Sequence, residues 1–130
     1  SPNISVQAMD PEGDPLGIYL RSLASLKRDM PDDVLVLPGH NLPFIGLRTR
    51  IDELCAHHEV RCLAIEDACR RALCTAADLV PVVFHRAIDD PHQMGFAFSE
   101  VLAHVNYLVR EGRLRPVPGS GAGVAYTAPV

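Results

Sequence analysis

Apolar positions along the chain follow two periods, and the change between them divides it into elements. Leu16, Tyr19, Leu20, Leu23 and Leu26 recur at the three-and-four spacing of a helix face. Asp14 before Pro15 reads as an N-cap with proline at the first helical position, and Pro31 closes a helix expected to reach about Met30. Val34-Leu35-Val36-Leu37 is a continuous apolar run between turns, which predicts a short buried strand, and Pro38-Gly39-His40-Asn41 is a loop at its end. Gly39 is expected to let the backbone turn tightly beside His40.

A long helix follows over about 46–73, its apolar side traced by Leu47, Ile51, Leu54, His58, Ile65, Cys69 and Leu73. Thr75 with Asp78 forms a variant capping box for a short helix that Pro81 should kink or end. His85-Arg86-Ala87-Ile88-Asp89-Asp90-Pro91 reads as a loop, with His92 assigned to it. A third helix is expected from about Gly95 to Glu111, its wide stripe formed by Phe98, Val101, Leu102, Val105, Leu108 and Val109. Gly112 stands at its C-cap. Arg113–Val117 and Val124–Thr127 read as two short strands joined by a glycine-rich tip over 118–123. Helix, short helix, helix and hairpin is the order of a winged helix.

Composition narrows this picture. At 48% hydrophobic and 22% charged the chain is a folded globular sequence, and at 5% aromatic without tryptophan its core must be aliphatic. Residues 1–42 hold three basic and six acidic groups and residues 43–130 nine and ten, so neither part is the basic body of a general nucleic-acid binder. Cys55, Cys62 and Cys69 fall seven apart, one helix face with neighbours roughly 10 Å apart along the axis. That is too far for a disulfide, and without a Cys-x-x-Cys pair these and Cys74 read as small buried apolar residues of a reducing, cytoplasmic protein. No run reaches membrane-spanning length, and the opening Ser1-Pro2-Asn3 lacks a start methionine, as expected of a fragment.

His40 is the most informative candidate for chemistry, because a strand-end loop can hold an imidazole rigidly. Taken alone, a loop histidine of this kind is usually a surface residue rather than a ligand. Asp32 and Asp33 read as a solvated turn rather than metal ligands, and Asp10, Glu12 and Asp14 as a solvated loop lacking the calcium-loop pattern. His57 and His58 point about 100° apart on a helix and do not readily share a metal. His58 and His104 fall near apolar stripes and read as hydrogen-bonded packing residues; His85 and His92 lack a third donor. Neither a nucleophile elbow nor a phosphate-binding glycine loop is present.

The stretch Val34-Leu35-Val36-Leu37-Pro38-Gly39-His40-Asn41-Leu42-Pro43 resembles the late strand and loop of metallo-β-lactamase-fold hydrolases. The likeness continues through Ser1-Pro2-Asn3-Ile4-Ser5, through Ile51-Asp52-Glu53-Leu54 with His57-His58, and through the helical tail. It resembles the branch that ends in a lactamase-associated winged helix, which includes a mitochondrial endoribonuclease and assorted thioesterases and hydrolases. The resemblance implies an α+β, mostly helical chain: residues 1–42 as the closing piece of a four-layer αββα domain, and 43–130 as a winged-helix-like domain. It implies that His40 binds the second metal of a two-zinc site in an intact parent protein. The family's His-x-His-x-Asp-His motif is not in this sequence, so the other ligands are expected upstream, as the first partner of this chain. By itself the chain is then expected to hydrolyse nothing, since a hydrolytic zinc needs about three protein ligands.

Two other functions stand beside the enzyme reading. A winged helix can bind nucleic acid, but the third helix offers only Asn106 and Arg110 for phosphates and base edges, with Arg113 and Arg115 in the first wing strand. The tail can instead be a packing, gating or dimerising module. The parent's substrate, small molecule or nucleic acid, is not legible, and no membrane partner is expected.

Overall fold

A computed structural model describes residues 3–119 and 123–129. Ser1 and Pro2 of the lead-in, and residues 120–122 of the glycine-rich tip, lie outside the described residues. The first helix, α1 (Pro15–Asp29), starts as its sequence dictates: the Asp14 carboxylate accepts from the Gly17 amide at 2.9 Å and Pro15 occupies the first turn. A Cβ at Gly17 would meet the capping carboxylate, so a larger residue there requires the Asp14 side chain to shift. Leu16 and Leu23, seven apart, are the large side chains this helix buries.

The segment 30–46 departs from expectation. Val34–Leu37 does not form a buried strand: Val36 alone pairs with Phe44 in an isolated antiparallel bridge, by bonds of 2.8 and 3.1 Å, while Leu35 and Leu37 are 62% and 74% exposed. A strand apolar on both faces is buried only between sheet neighbours and covering layers, and here one residue of the returning loop is the only neighbour among the described residues. The left-handed residue of the turn is Asn41 (φ 72°), not Gly39. Asp32, read as a solvated turn, accepts from the Arg48 amide at 2.9 Å and so caps the following helix from sixteen residues upstream.

Helix α2 (Leu47–Arg71) runs for 25 residues, within the expected span. Leu73 lies beyond it and is exposed. Thr75 and Asp78 form the expected reciprocal cap of α3 (Ala76–Val83), which contains Pro81 and ends two residues later. Helix α4 (Pro91–Arg110) begins four residues before its expected start. Asp90-Pro91 repeats the cap-and-proline signal of Asp14-Pro15, the Asp90 carboxylate accepting from the His92 amide at 3.0 Å, so His92 belongs to the helix and not to a loop. Gly112, at φ 74°, ends α4 in the left-handed conformation that favours glycine.

Three short strands, β1 (Cys74–Thr75), β2 (Arg115–Val117) and β3 (Ala125–Thr127), make an antiparallel sheet in the order β1-β3-β2. Cys74 pairs with Tyr126, and Arg115 with Thr127. Strand β1 is two residues long, below what an alternating pattern can reveal. Pro116 sits on an edge strand, where its missing donor costs no ladder bond.

One hydrophobic cluster joins these parts. Ile65, Leu79, Val101, Val105 and Leu108 are fully buried at its centre, and Ile4, Val6 and Leu16 from the first part of the chain enter the same cluster. Val6 donates to the Ser99 carbonyl at 3.2 Å, and Asn106 donates to the carbonyls of Pro11 and Gly13 at 3.0 and 2.9 Å. The lead-in and α1 therefore pack on the helical tail. The expected outcome is that Leu16→Ala lowers the unfolding free energy by about 2–5 kcal/mol. Leu35→Ala should leave it nearly unchanged. Equal effects in urea denaturation would mean that α1 is not part of this core.

Candidate functional site

His40 stands on the loop between the two halves of the Val36–Phe44 bridge, and its side chain is exposed. It lines a recess of about 330 Å³ whose other walls include Tyr19, Leu23, Phe44, Arg50 and Ile51. Helix α1 contributes Tyr19 and Leu23, helix α2 Arg50 and Ile51, and the loop itself Phe44. Arg50 is drawn toward Glu53 one turn on, at 3.2 Å. Among the described residues no three His, Cys, Asp or Glu side chains gather closely enough to hold a metal ion. His40 is therefore not part of such a group, and neither are Asp32 and Asp33.

The remaining histidines divide by burial. His58 on α2 and His104 on α4 are buried, at 5% and 1% exposure, and meet through Nδ1 of His58 and Nε2 of His104 at 3.1 Å. His104 Nδ1 lies 2.8 Å from the Glu100 carbonyl, which can only accept, so that nitrogen carries the proton. His104 Nε2 then accepts from the Nδ1–H of His58, which leaves His58 Nε2 as a buried lone pair with no partner among the described residues. The packing role read for these two histidines is what the structure shows; their mutual bond is what sequence reading missed. His57 is exposed, its ring centroid 5.3 Å from that of His58.

Burial dominates the electrostatics of this pair. It pushes both imidazoles down from 6.5 to about 4, the neighbouring histidines and Arg61 adding in the same direction for His58. For His104 the bond to the Glu100 carbonyl opposes the shift without overcoming it. Arg61 is itself held by Glu100 at 3.1 Å and stacks 5.1 Å over the Phe84 ring.

The cations expected to be free for phosphate are mostly engaged inside the molecule. Arg113 donates to Glu66 at 2.5 Å and to Glu59 at 2.6 Å, and these carboxylates raise its pKa. Glu59 and Glu66 are seven apart in the sequence, a one-face signal that sequence reading passed over. Arg110 donates to the Glu12 carbonyl at 3.0 Å, and Asn106 is bound to the same lead-in loop. Of the four candidate contacts, Arg115 remains exposed on its edge strand.

Residues 62–127 match the family model described as metallo-beta-lactamase-like, C-terminal domain. The chain belongs to this family. A β-lactamase domain protein from Burkholderia ambifaria is similar over 99% of this chain, with 43% identity and a TM-score of 0.91. A metallo-beta-lactamase family protein from Thermus thermophilus is similar over the same 99%, with 33% identity and a TM-score of 0.77. In each case the chain spans 38% of the length of the solved structure. No match is found among curated proteins. The metallo-β-lactamase-like family membership agrees with the mostly helical α+β architecture and its three-stranded sheet. Among the described residues no helix is long and apolar enough to cross a membrane.

The buried histidine pair has a measurable consequence. Its folded pKa values lie below the unfolded value of 6.5, so between about pH 6.5 and 4 the unfolded chain binds protons that the folded chain excludes. Stability should be full above pH 6.5 and should fall as pH drops toward 4, by on the order of 3 kcal/mol for each imidazole. Urea melts across this range, compared with a His58→Gln/His104→Gln variant, check it; an unaltered slope in the variant would assign the acid sensitivity to other groups.

Proposed function

We propose that this chain is the C-terminal portion of a metal-dependent hydrolase, with zinc as the preferred metal and His40 as one of its ligands. The observation that carries the reading is the combination of family membership with one exposed imidazole on a pinned loop. The loop is flanked by apolar side chains that face outward. Leu35, Leu37, Leu42 and Ile45 are all exposed, which is the surface expected of a strand and loop whose sheet neighbours come from elsewhere in a longer protein.

Residues 1–42 are read as the closing piece of the αββα domain and 43–130 as a winged-helix-like unit packed against it. The chain order α2, β1, α3, α4, β2, β3 and the antiparallel sheet support the second part of that reading. Its role is packing and positioning. The engagement of Asn106, Arg110 and Arg113 within the fold speaks against a nucleic-acid contact through α4.

Zinc, when bound, lowers the pKa of water and polarises the scissile bond. This chain's own contribution is to hold one imidazole at the end of a short bridged loop, beside a recess with mostly apolar walls. The other donors would come from the remainder of the protein, so the chain alone is not expected to be active. In the protein that contains this chain and its upstream region, His40→Ala should remove about one of two bound metal equivalents and lower hydrolysis about 100-fold or more, as expected when a metal site loses a direct ligand. Metal analysis together with a hydrolase assay checks this. Metal content and turnover both equal to the parent's would sink the assignment of His40.

A further inference from the structure

A second concavity, away from His40, lies between α3, the loop 84–90 and the first turns of α4. Its volume is about 670 Å³, within the range of small-molecule sites. Val80, Phe84, Ile88, Met94 and Phe98 supply its apolar walls, and among the described residues that line it Arg86 alone has a polar side chain. Arg86 is exposed and makes no hydrogen bond or ion pair among the described residues. The other positive feature nearby, the N-terminus of α4, is already occupied by the Asp90 carboxylate. The wall is held in place: the Phe84 ring lies under the Arg61 guanidinium, which Glu100 fixes from α4.

Gly95 is an independent pointer to an occupant. It lines the concavity from within α4, where glycine costs about 1 kcal/mol relative to alanine. Nothing in the fold requires it, since a Cβ built there meets no atom within 4 Å and its φ is ordinary. A side chain at this position would enter the open space beside the lining residues, which glycine leaves clear.

We infer that this cleft is a binding site for a single-chain amphiphile, an acyl chain ending in a carboxylate. The chain lies against Phe84, Ile88, Met94 and Phe98, and the carboxylate meets Arg86. An unpaired guanidinium at the edge of an otherwise apolar cavity selects a ligand that is apolar along its length and anionic at one end. The inference does not depend on the metal reading of His40.

The test is calorimetric titration of the full chain with sodium dodecanoate below its micelle concentration, alongside dodecanol as the uncharged counterpart. One dodecanoate should bind per chain. Arg86→Gln should weaken dodecanoate about tenfold, the loss expected for one charge-assisted contact, and leave dodecanol unchanged. Gly95→Phe fills the cleft from a position with free space; it should abolish binding of both ligands without lowering the melting temperature. Absence of binding to the unmodified chain, or binding that survives Gly95→Phe, would overturn the assignment. So would light scattering showing that the unmodified chain is a dimer which Gly95→Phe dissociates, because the cleft would then be filled by a second copy.

Discussion

The burial of one stripe of α4 is the constraint on which the rest of the molecule depends. Val101, Val105 and Leu108 have no solvent exposure, and α1, α2 and α3 each pack against this helix. Each of these side chains gains about 1.5–3 kcal/mol from leaving water, and no two-element arrangement could enclose the stripe on its own. That requirement draws the lead-in onto the tail. Ile4 and Val6 close one flank, with the Val6 amide on the Ser99 carbonyl, while Asn106 holds the loop that precedes α1.

Polar groups inside this core are matched rather than excluded. The His58–His104 bond joins α2 to α4 where an aliphatic pair would otherwise be expected, and it holds only while the accepting Nε2 of His104 stays unprotonated. Arg113 joins the end of α4 to α2 through Glu59 and Glu66, and Arg61 joins α2 to α4 through Glu100. Charges that could have formed a basic surface are thereby committed to holding helices together, so the module has little field left with which to attract a phosphate backbone. Two of its open surfaces are apolar: the Leu35–Ile45 loop on one side, and the cleft between α3 and α4 on another.

The helices, their caps and the final hairpin were legible because their signals are local. Asp14-Pro15, Thr75 with Asp78, and Gly112 each act through groups within a few residues of themselves, and the structure uses them as the sequence reads. The start of α4 was legible too, in Asp90-Pro91, and was missed because the adjacent turn-forming residues outweighed the cap. The candidate site was legible only as one residue. His40 follows from its motif, whereas its neighbours Tyr19 and Arg50 come from two helices whose relative placement no spacing encodes.

By itself, the amino-acid sequence determined the caps and approximate extents of α1, α2 and α3, the end of α4, and that an imidazole stands on a loop after an apolar run, because capping and periodicity are short-range. Only the tertiary structure decided that Val34–Leu37 stays unpaired beyond Val36, that Asp32 caps a helix sixteen residues away, that two histidines 46 residues apart share a hydrogen bond, and that Gly95 opens onto a cavity. Each of these rests on a partner brought close by the packing of other elements, and no local pattern in a chain specifies which distant group will arrive.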